Sequence, residues 1–424
     1  MEVKAGYKQT EVGVIPEDWD VKQLKDVVSK VIDNRGKTPP YKDNGDIELI
    51  ETASISFVTQ YPDYSKITKF VSNETYKNWF RAHPTKDDVL ISTVGEYSGS
   101  SAIMGADRGT VAQNLVALRI KEVLPAYVFH WTRSGNFKSQ LDQVMMNQAQ
   151  PSLRVPWLLN FNLSTPSNKA EQEAIADALS DADALIEALE GLIAKKRQVK
   201  QGAMSELLSG KKRLPGFGKK WEIKSLGELG STFGGLTGKT KSDFGRGTSS
   251  FITFMNIMSN VVIDCKTFEL VDIKPTETQN RVKKGDLFFN GSSETPEEVG
   301  MCAVLMEDVQ DVFLNSFCFG YRFREDAEVN GLYFAYYFRS QEGRELMKSL
   351  AQGATRYNLS KTALLRLSFP LPDQTEQIAI AEILSDMDAE ISALEEKLSK
   401  ARQVKAGMMS ELLTGRIRLI DKSG

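Results

Sequence analysis

Histidine and cysteine are almost missing from this chain, with two of the first and three of the second among 424 residues. His83 and His130 are not spaced as a metal pair, and no Ser/His/Asp set can be assembled around them, which argues against a zinc centre and against triad chemistry. Cys265, Cys302 and Cys318 show no CxxC spacing, so neither a disulfide framework nor a zinc ribbon is expected; they read as reduced structural thiols of a cytosolic protein. Long apolar runs are missing too. No stretch approaches the roughly 18 residues needed to span a bilayer, and residues 1–20 are polar and charged, so a soluble, cytoplasmic protein without a membrane partner is expected. Nor is there a large excess of either charge: the net value of −3 argues against indiscriminate polyanion binding.

Two stretches come near to catalytic motifs and fall short. Thr38-Pro39-Pro40-Tyr41 resembles the Asn/Asp-Pro-Pro-Tyr loop of amino-methyltransferases, but threonine stands where the acceptor group is needed, and no glycine-rich turn for S-adenosylmethionine accompanies it. Gly234-Gly235-Leu236-Thr237-Gly238-Lys239-Thr240 is one residue short of a phosphate-binding loop, since Phe233 occupies the position of its first glycine; it reads instead as a flexible, basic loop. No catalytic residue and no metal ligand is assigned.

What the chain does contain is a repeat. The text from Glu171 to Leu214 returns between Glu376 and Leu419 without a gap at a shift of 205 residues, and 28 of the 44 aligned pairs are identical, which makes the chain a duplication. Within each copy the apolar residues step by four and three. Ile175, Leu179, Ile186, Leu189 and Ile193 in the first are matched by Ile380, Leu384, Ile391, Leu394 and Leu398 in the second, the a/d seam of a coiled coil. A helix over this stretch would be about 60 Å long, more than one compact domain can cover, so the two copies are expected to pack on each other, the alternative being two unrelated helices that pack separately on two domains. The first is acidic at its start and basic over 195–224, which suits a helix dipole or a surface that meets phosphate or an acidic partner.

The regions outside the repeats are each of single-domain size, and they too share a pattern: Trp19 answers Trp221, Val21 answers Ile223, and Leu24 answers Leu226. Apolar runs at 88–94 and 115–120 correspond to 286–292 and 317–323 and read as short strands, and single helices are expected from Ala126 and from Leu332. The expected fold is α+β, with two mixed α/β globular domains at 1–167 and 215–372. These are separated by long helical segments at 168–214 and 373–424 that form an antiparallel coiled coil with pseudo-twofold duplication. The helices match far better than the domains, a pattern suggesting shared scaffold duties for the helices and different targets for the domains.

The domain loops are rich in groups that hydrogen-bond base edges and phosphates. In the first domain these are Arg35, Lys37, Thr38, Thr93, Ser98, Gln113, Asn114, Gln148, Gln150 and Arg154. In the second they are Thr237, Lys239, Lys241, Asn290, Ser292, Ser293, Asn315, Arg356, Tyr357 and Asn358.

Two divergent domains alternating with two near-identical helices resemble, over the whole chain, the specificity subunit (HsdS) of type I restriction-modification enzymes. The helices open on Glu-Gln-x-Ala-Ile-Ala and close on Arg-Gln-Val-Lys-x-Gly-x-Met-Ser-Glu-Leu-Leu; the openings at Trp19 and Trp221 and the run Arg35-Gly36-Lys37-Thr38-Pro39 also fit. The resemblance implies a non-catalytic DNA-binding subunit in which each domain, a target-recognition domain, reads one half of a bipartite, asymmetric site on double-stranded DNA. It implies that the paired helices set the spacer and dock two methyltransferase subunits, and that restriction and motor subunits join these. S-adenosylmethionine, ATP and Mg²⁺ would belong to those partners and none to this chain. The alternative from another class is a non-catalytic coiled-coil scaffold with protein-binding domains.

Overall fold

A computed structural model describes residues 4–36, 38–95, 97–146, 152–353 and 355–420. Two helices of 39 residues each, Lys169–Leu207 and Gln374–Leu412, dominate it. Their ends follow local chemistry. Asn168 and Asp373 use side-chain oxygens to accept from Ala170 N and Glu376 N (2.9 and 3.0 Å), satisfying amides that no earlier turn can serve. Gly210 and Gly415, with φ of 72° and 68°, take the left-handed turn that stops each helix, and their N–H groups bond Leu207 O and Leu412 O.

The chain divides into two compact units, and the division does not follow the repeat. The first unit is residues 1–192 with 395–424, and the second is 193–394. Each globular domain is therefore grouped with the first half of the long helix that follows it and with the second half of the other long helix.

In the first unit a four-stranded antiparallel sheet runs in the order Val28–Ile32, Leu115–Ile120, Val89–Ser92, Ser101–Ile103. All four residues of Val89–Ser92 are buried, as suits a central strand covered on both faces. A three-stranded sheet, Phe70–Val71, Ile47–Ile50, Thr110–Val111, lies beyond it, and Trp19–Gln23 pairs with Asn162–Pro166. The second unit repeats this order with Gly230–Gly234, Cys318–Phe323, Leu287–Asn290 and Cys302–Val304, then Glu269–Val271, Phe244–Ile252 and Val312–Leu314, and pairs Glu222–Ser225 with Ser368–Leu371. The duplication reaches single ion pairs: buried Asp88 holds Arg119 at 2.9 Å, and buried Asp286 holds Arg322 at 2.6 Å. Each carboxylate raises the pKa of its arginine, chiefly through the hydrogen bond.

The helices expected from Ala126 and Leu332 are each two helices. Pro125–Trp131 gives way to Gly135–Met145, and Gly331–Arg339 to Gln341–Leu350. The cause is Ser134 and Ser340, which accept at their hydroxyls from Phe137 N and Gly343 N (3.2 Å each) and so start a new helix.

The heptad seam serves two purposes. Ile175 and Leu179 sink into the first domain's core beside Trp19, Tyr127 and Leu163, together with Leu412 and Leu413. Ile380 and Leu384 enter the second core with Met204, Leu207 and Leu208. These four are domain anchors as well as seam residues, a correction to reading the whole seam as helix against helix. Ile186, Leu189, Ile193 and Ile391 are buried along the helices, and Leu394 and Leu398 are half-buried.

Charge accompanies this packing. In the first unit Asp183 meets Lys405, Glu190 meets Arg402 at 2.6 Å, and Glu171 meets Arg418 at 2.7 Å, so one number falls as the other rises and the paired segments are antiparallel. In the second unit Lys196 meets Glu390 at 2.6 Å, Lys200 meets Asp388, and Arg213 meets Glu376 at 2.6 Å. Much of the acidic-then-basic polarity of the repeat is thus satisfied between helices, with less of it left for phosphate than the charge run suggested.

Candidate nucleic-acid interface

The ends of the central strands gather segments that are far apart in the chain. In the first unit Thr93 N donates to Asn114 O at 2.8 Å and Leu153 N donates to Thr93 O at 2.7 Å, while Val94 bridges to Ser152. Arg35 reaches Thr93 Oγ1 at 3.4 Å, and Gln113 Nε2 donates to Thr38 Oγ1 at 2.8 Å. The second unit builds the same junction: Gly291 N donates to Phe317 O at 3.0 Å, and Leu359 N to Gly291 O at 2.9 Å. Ser292 and Ser293 pair with Asn358 and Tyr357, and Leu236 N bonds Leu314 O at 2.8 Å, which brings the 234–237 segment alongside. Loops picked out for their chemistry thus converge on one end of the sheet in each unit.

Their side chains divide by exposure. Thr38, Gln113, Asn114, Arg154, Thr237, Lys241, Arg356 and Asn358 are exposed, and Arg35, Asn315 and Tyr357 are half-buried. Asn114 stands at φ 71°, the left-handed corner of its turn. Arg154 lies over the Trp157 ring at 4.8 Å. Lys37, Gln148 and Gln150 lie outside the described residues.

Several expected contacts are instead structural. Thr93 and Asn290 are fully buried; Asn290 donates to Ser292 O and Glu298 O and accepts from Met301 N, so its amide holds a turn and faces no ligand. Ser98 is buried and donates to Gly95 O at 2.8 Å, and buried Ser293 donates to Glu298 at 3.0 Å. Lys239, read as part of a flexible basic loop, has a side chain only 3% exposed; its ammonium bonds Asp272 O and Glu277 at 2.5 Å, and that bond lowers the pKa of Glu277. Arg35 spends its charge on Asp33 through two bonds of 2.8 Å, and the Asp33 carboxyl is held below its ordinary range by that arginine.

Two surface aromatics at these junctions were missed. Phe317 is 61% exposed and Tyr97 57% exposed. Period-two alternation through 317–323 would put Phe317 on the same face as buried Phe319 and Tyr321, but the strand begins only at Cys318, which leaves the ring outside. Among the described residues no group of three or more His, Cys, Asp or Glu could hold a metal ion, and no helix is long and apolar enough to cross a membrane.

Comparison with known proteins follows the same duplication. A family model described as the type I restriction modification DNA specificity domain matches twice, at residues 16–196 and 218–401. A putative type I restriction enzyme MjaX specificity subunit of Methanocaldococcus jannaschii is 25% identical over 438 residues, covering 97% of each chain. The MjaVIII specificity subunit of the same organism is 26% identical over 216 residues, 49% of each chain. Among solved structures, the S subunit of a type I restriction-modification system from M. genitalium aligns with a TM-score of 0.58 at 15% identity, covering 97% of this chain and 98% of that one. A chain from a structure concerned with complex assembly and conformational transition of a type I R-M system aligns at 0.57 and 16% identity, covering 95% and 99%. At these identities the structural likeness speaks for the fold.

Proposed function

This chain belongs to the type I restriction-modification DNA specificity family, and from that premise we propose that it is the specificity subunit of such a system, reading a bipartite, asymmetric site on double-stranded DNA. Each unit takes one half-site. The observation that carries the reading is the repeated junction at the end of each sheet, where one backbone framework presents different side chains: Thr38, Gln113, Asn114 and Arg154 in the first unit, Arg356, Tyr357 and Asn358 in the second. A shared framework with divergent tips is what two readers of different sequences require.

The long helices set the spacer between half-sites and offer the docking surface for two methyltransferase subunits, with restriction and motor subunits joining them. The partners supply the chemistry: S-adenosylmethionine for transfer of a methyl group to adenine N6, ATP and Mg²⁺ for translocation and cleavage. The bound methyltransferases also share the phosphate contacts, which accommodates a net charge of −3 and lysines already engaged by carboxylates.

The test is an exchange of residues 1–167 for the corresponding domain of another such subunit, followed by methylome sequencing of the host. One half-site of the methylated motif changes and the other stays. A change in both halves, or random DNA competing as well as the site in a gel shift with methyltransferase present, would refute the reading.

A further inference from the structure

The second unit's junction pairs an exposed aromatic ring with an arginine whose hydrogen bonds among the described residues use one edge of its guanidinium. The Phe317 main chain is pinned on both sides: its N–H donates to Asn315 Oδ1 at 2.8 Å and its carbonyl accepts from Gly291 N at 3.0 Å. Gly291 eases that approach, because a Cβ there would crowd Phe317 O at 3.1 Å. The ring therefore stands in solvent on a backbone pinned at both its N–H and its carbonyl. Arg356 lies over it at 6.0 Å, and its Nε and Nη2 donate to Ser292 Oγ at 3.3 and 3.1 Å. The side-on edge of the guanidinium is spent on Ser292, and the end-on Nη1/Nη2 edge points away from that anchor.

At the equivalent place in the first unit, the carbonyl that accepts from the strand end belongs to Asn114. One framework position thus carries an amide in one unit and an aromatic ring in the other. An amide suits adenine, whereas an apolar ring finds its match in the major groove at the C5-methyl of thymine, and a free guanidinium edge finds guanine O6 and N7 there. A ring centred 6.0 Å from the guanidinium spans about two base steps of roughly 3.4 Å.

We infer that Phe317 and Arg356 form a reading pair for the second unit's half-site, the ring seating against a thymine methyl and the arginine pairing with a guanine no more than two base steps away. Ser292 is a positioning residue that aims the arginine and does not touch a base. This inference rests on the assignment of the chain as a DNA specificity subunit and adds the chemistry of one half-site. Insertion of the ring between bases would need no methyl group, and that difference makes the inference testable.

The experiment uses the full chain with its methyltransferase subunits bound and duplexes in which each thymine of the site is replaced singly by deoxyuridine, which keeps the pairing edges and lacks only the methyl. At one position of the second unit's half-site, wild type loses roughly three- to tenfold in affinity. Phe317→Ala binds the thymine duplex with a similar loss and no longer distinguishes thymine from deoxyuridine there, while the first unit's half-site responds as in wild type. Ser292→Ala relaxes discrimination at a guanine within two steps and leaves the thymine response unchanged. Equal binding of every deoxyuridine duplex by wild type, a Phe317→Ala protein that still senses the methyl, or a half-site with no thymine on either strand would overturn the inference. A wild-type complex with no sequence preference in either half-site would overturn the functional assignment itself, and the first unit's half-site separates these two failures.

Discussion

Removing Arg418 should unfasten the first unit at a calculable cost. Its guanidinium, with a side chain 16% exposed, bonds both oxygens of Glu171, whose side chain is 1% exposed, and also reaches Asp18 at 3.0 and 2.8 Å. These acids push the pKa of Arg418 well above its ordinary value, Glu171 most of all. In Arg418→Met the buried carboxylate keeps, among the described residues, the Trp19 indole N–H at 3.3 Å. Breaking one side of a buried pair costs about 3–5 kcal/mol, and the partly open arginine puts this case near the lower figure, about 3 kcal/mol. For a unit of this size that lowers Tm by roughly 6–12 °C. Thermal unfolding followed by tryptophan fluorescence measures it, since Trp19 is fully buried beside the pair. One companion result sharpens the test. Glu171→Gln combined with Arg418→Met is less destabilised than the sum of the two single changes. A Tm shift below about 2 °C at neutral pH would show that the clasp is ornamental and would refute this account of how the unit closes.

Three further outcomes are expected. His130 is buried, and burial first, then Lys405 and Arg133, push its pKa down to about 3, so the folded chain binds fewer protons than the unfolded one between about pH 3 and 6.5; its contribution is present above about pH 6.5 and is lost as pH falls toward 3. The ring faces Asp183 at 4.0 Å and bonds Ser180 at 2.9 Å, whereas at the equivalent place Tyr336 donates to Asp388 at 2.7 Å, so His130→Tyr should remove this part of the acid sensitivity in urea unfolding at pH 5 against pH 7. A Cβ on Gly320 would stand 2.1 Å from the Phe233 ring, so Gly320→Ala should cost about 2–3 kcal/mol in urea unfolding, with partial rescue by Phe233→Leu; an unchanged midpoint would refute the packing argument. Adding one heptad to both long helices, after Leu192 and after Leu394, lengthens each by about 10 Å, so the spacer in the methylated motif should grow by about three base pairs, and an unchanged spacer would refute the role of the helices.

The long helices were legible because their signal is local and repeated, the same apolar steps of four and three in both copies, whereas the left-handed glycines that stop them, Gly210 and Gly415, were not picked out. Strands such as Leu115–Ile120 were legible for a similar reason, as unbroken apolar runs. The sharing of each helix between units was not, since it depends on which distant half supplies Lys405 to Asp183 or Asp388 to Lys200. The site was legible at the level of loops and blurred at the level of side chains. Thr93, Asn290 and Lys239 have the composition of ligand contacts, yet tertiary neighbours claim their polar atoms or bury them. Phe317 looked like strand interior and stands outside because its strand starts one residue later.

The clasps also carry a record of ancestry. Arg213 closes on the glutamate that opens the second repeat, and Arg418 on the glutamate that opens the first, so neither repeat can satisfy its own ends. A progenitor of half this length would have met the same requirement only by borrowing from a second copy, and would have lived as a symmetric pair with two identical readers. Such a pair is confined to sites that read the same from both sides. A single chain carrying both copies is free of that confinement: its crossed ion pairs repeat, while one framework position holds Asn114 in one unit and Phe317 in the other.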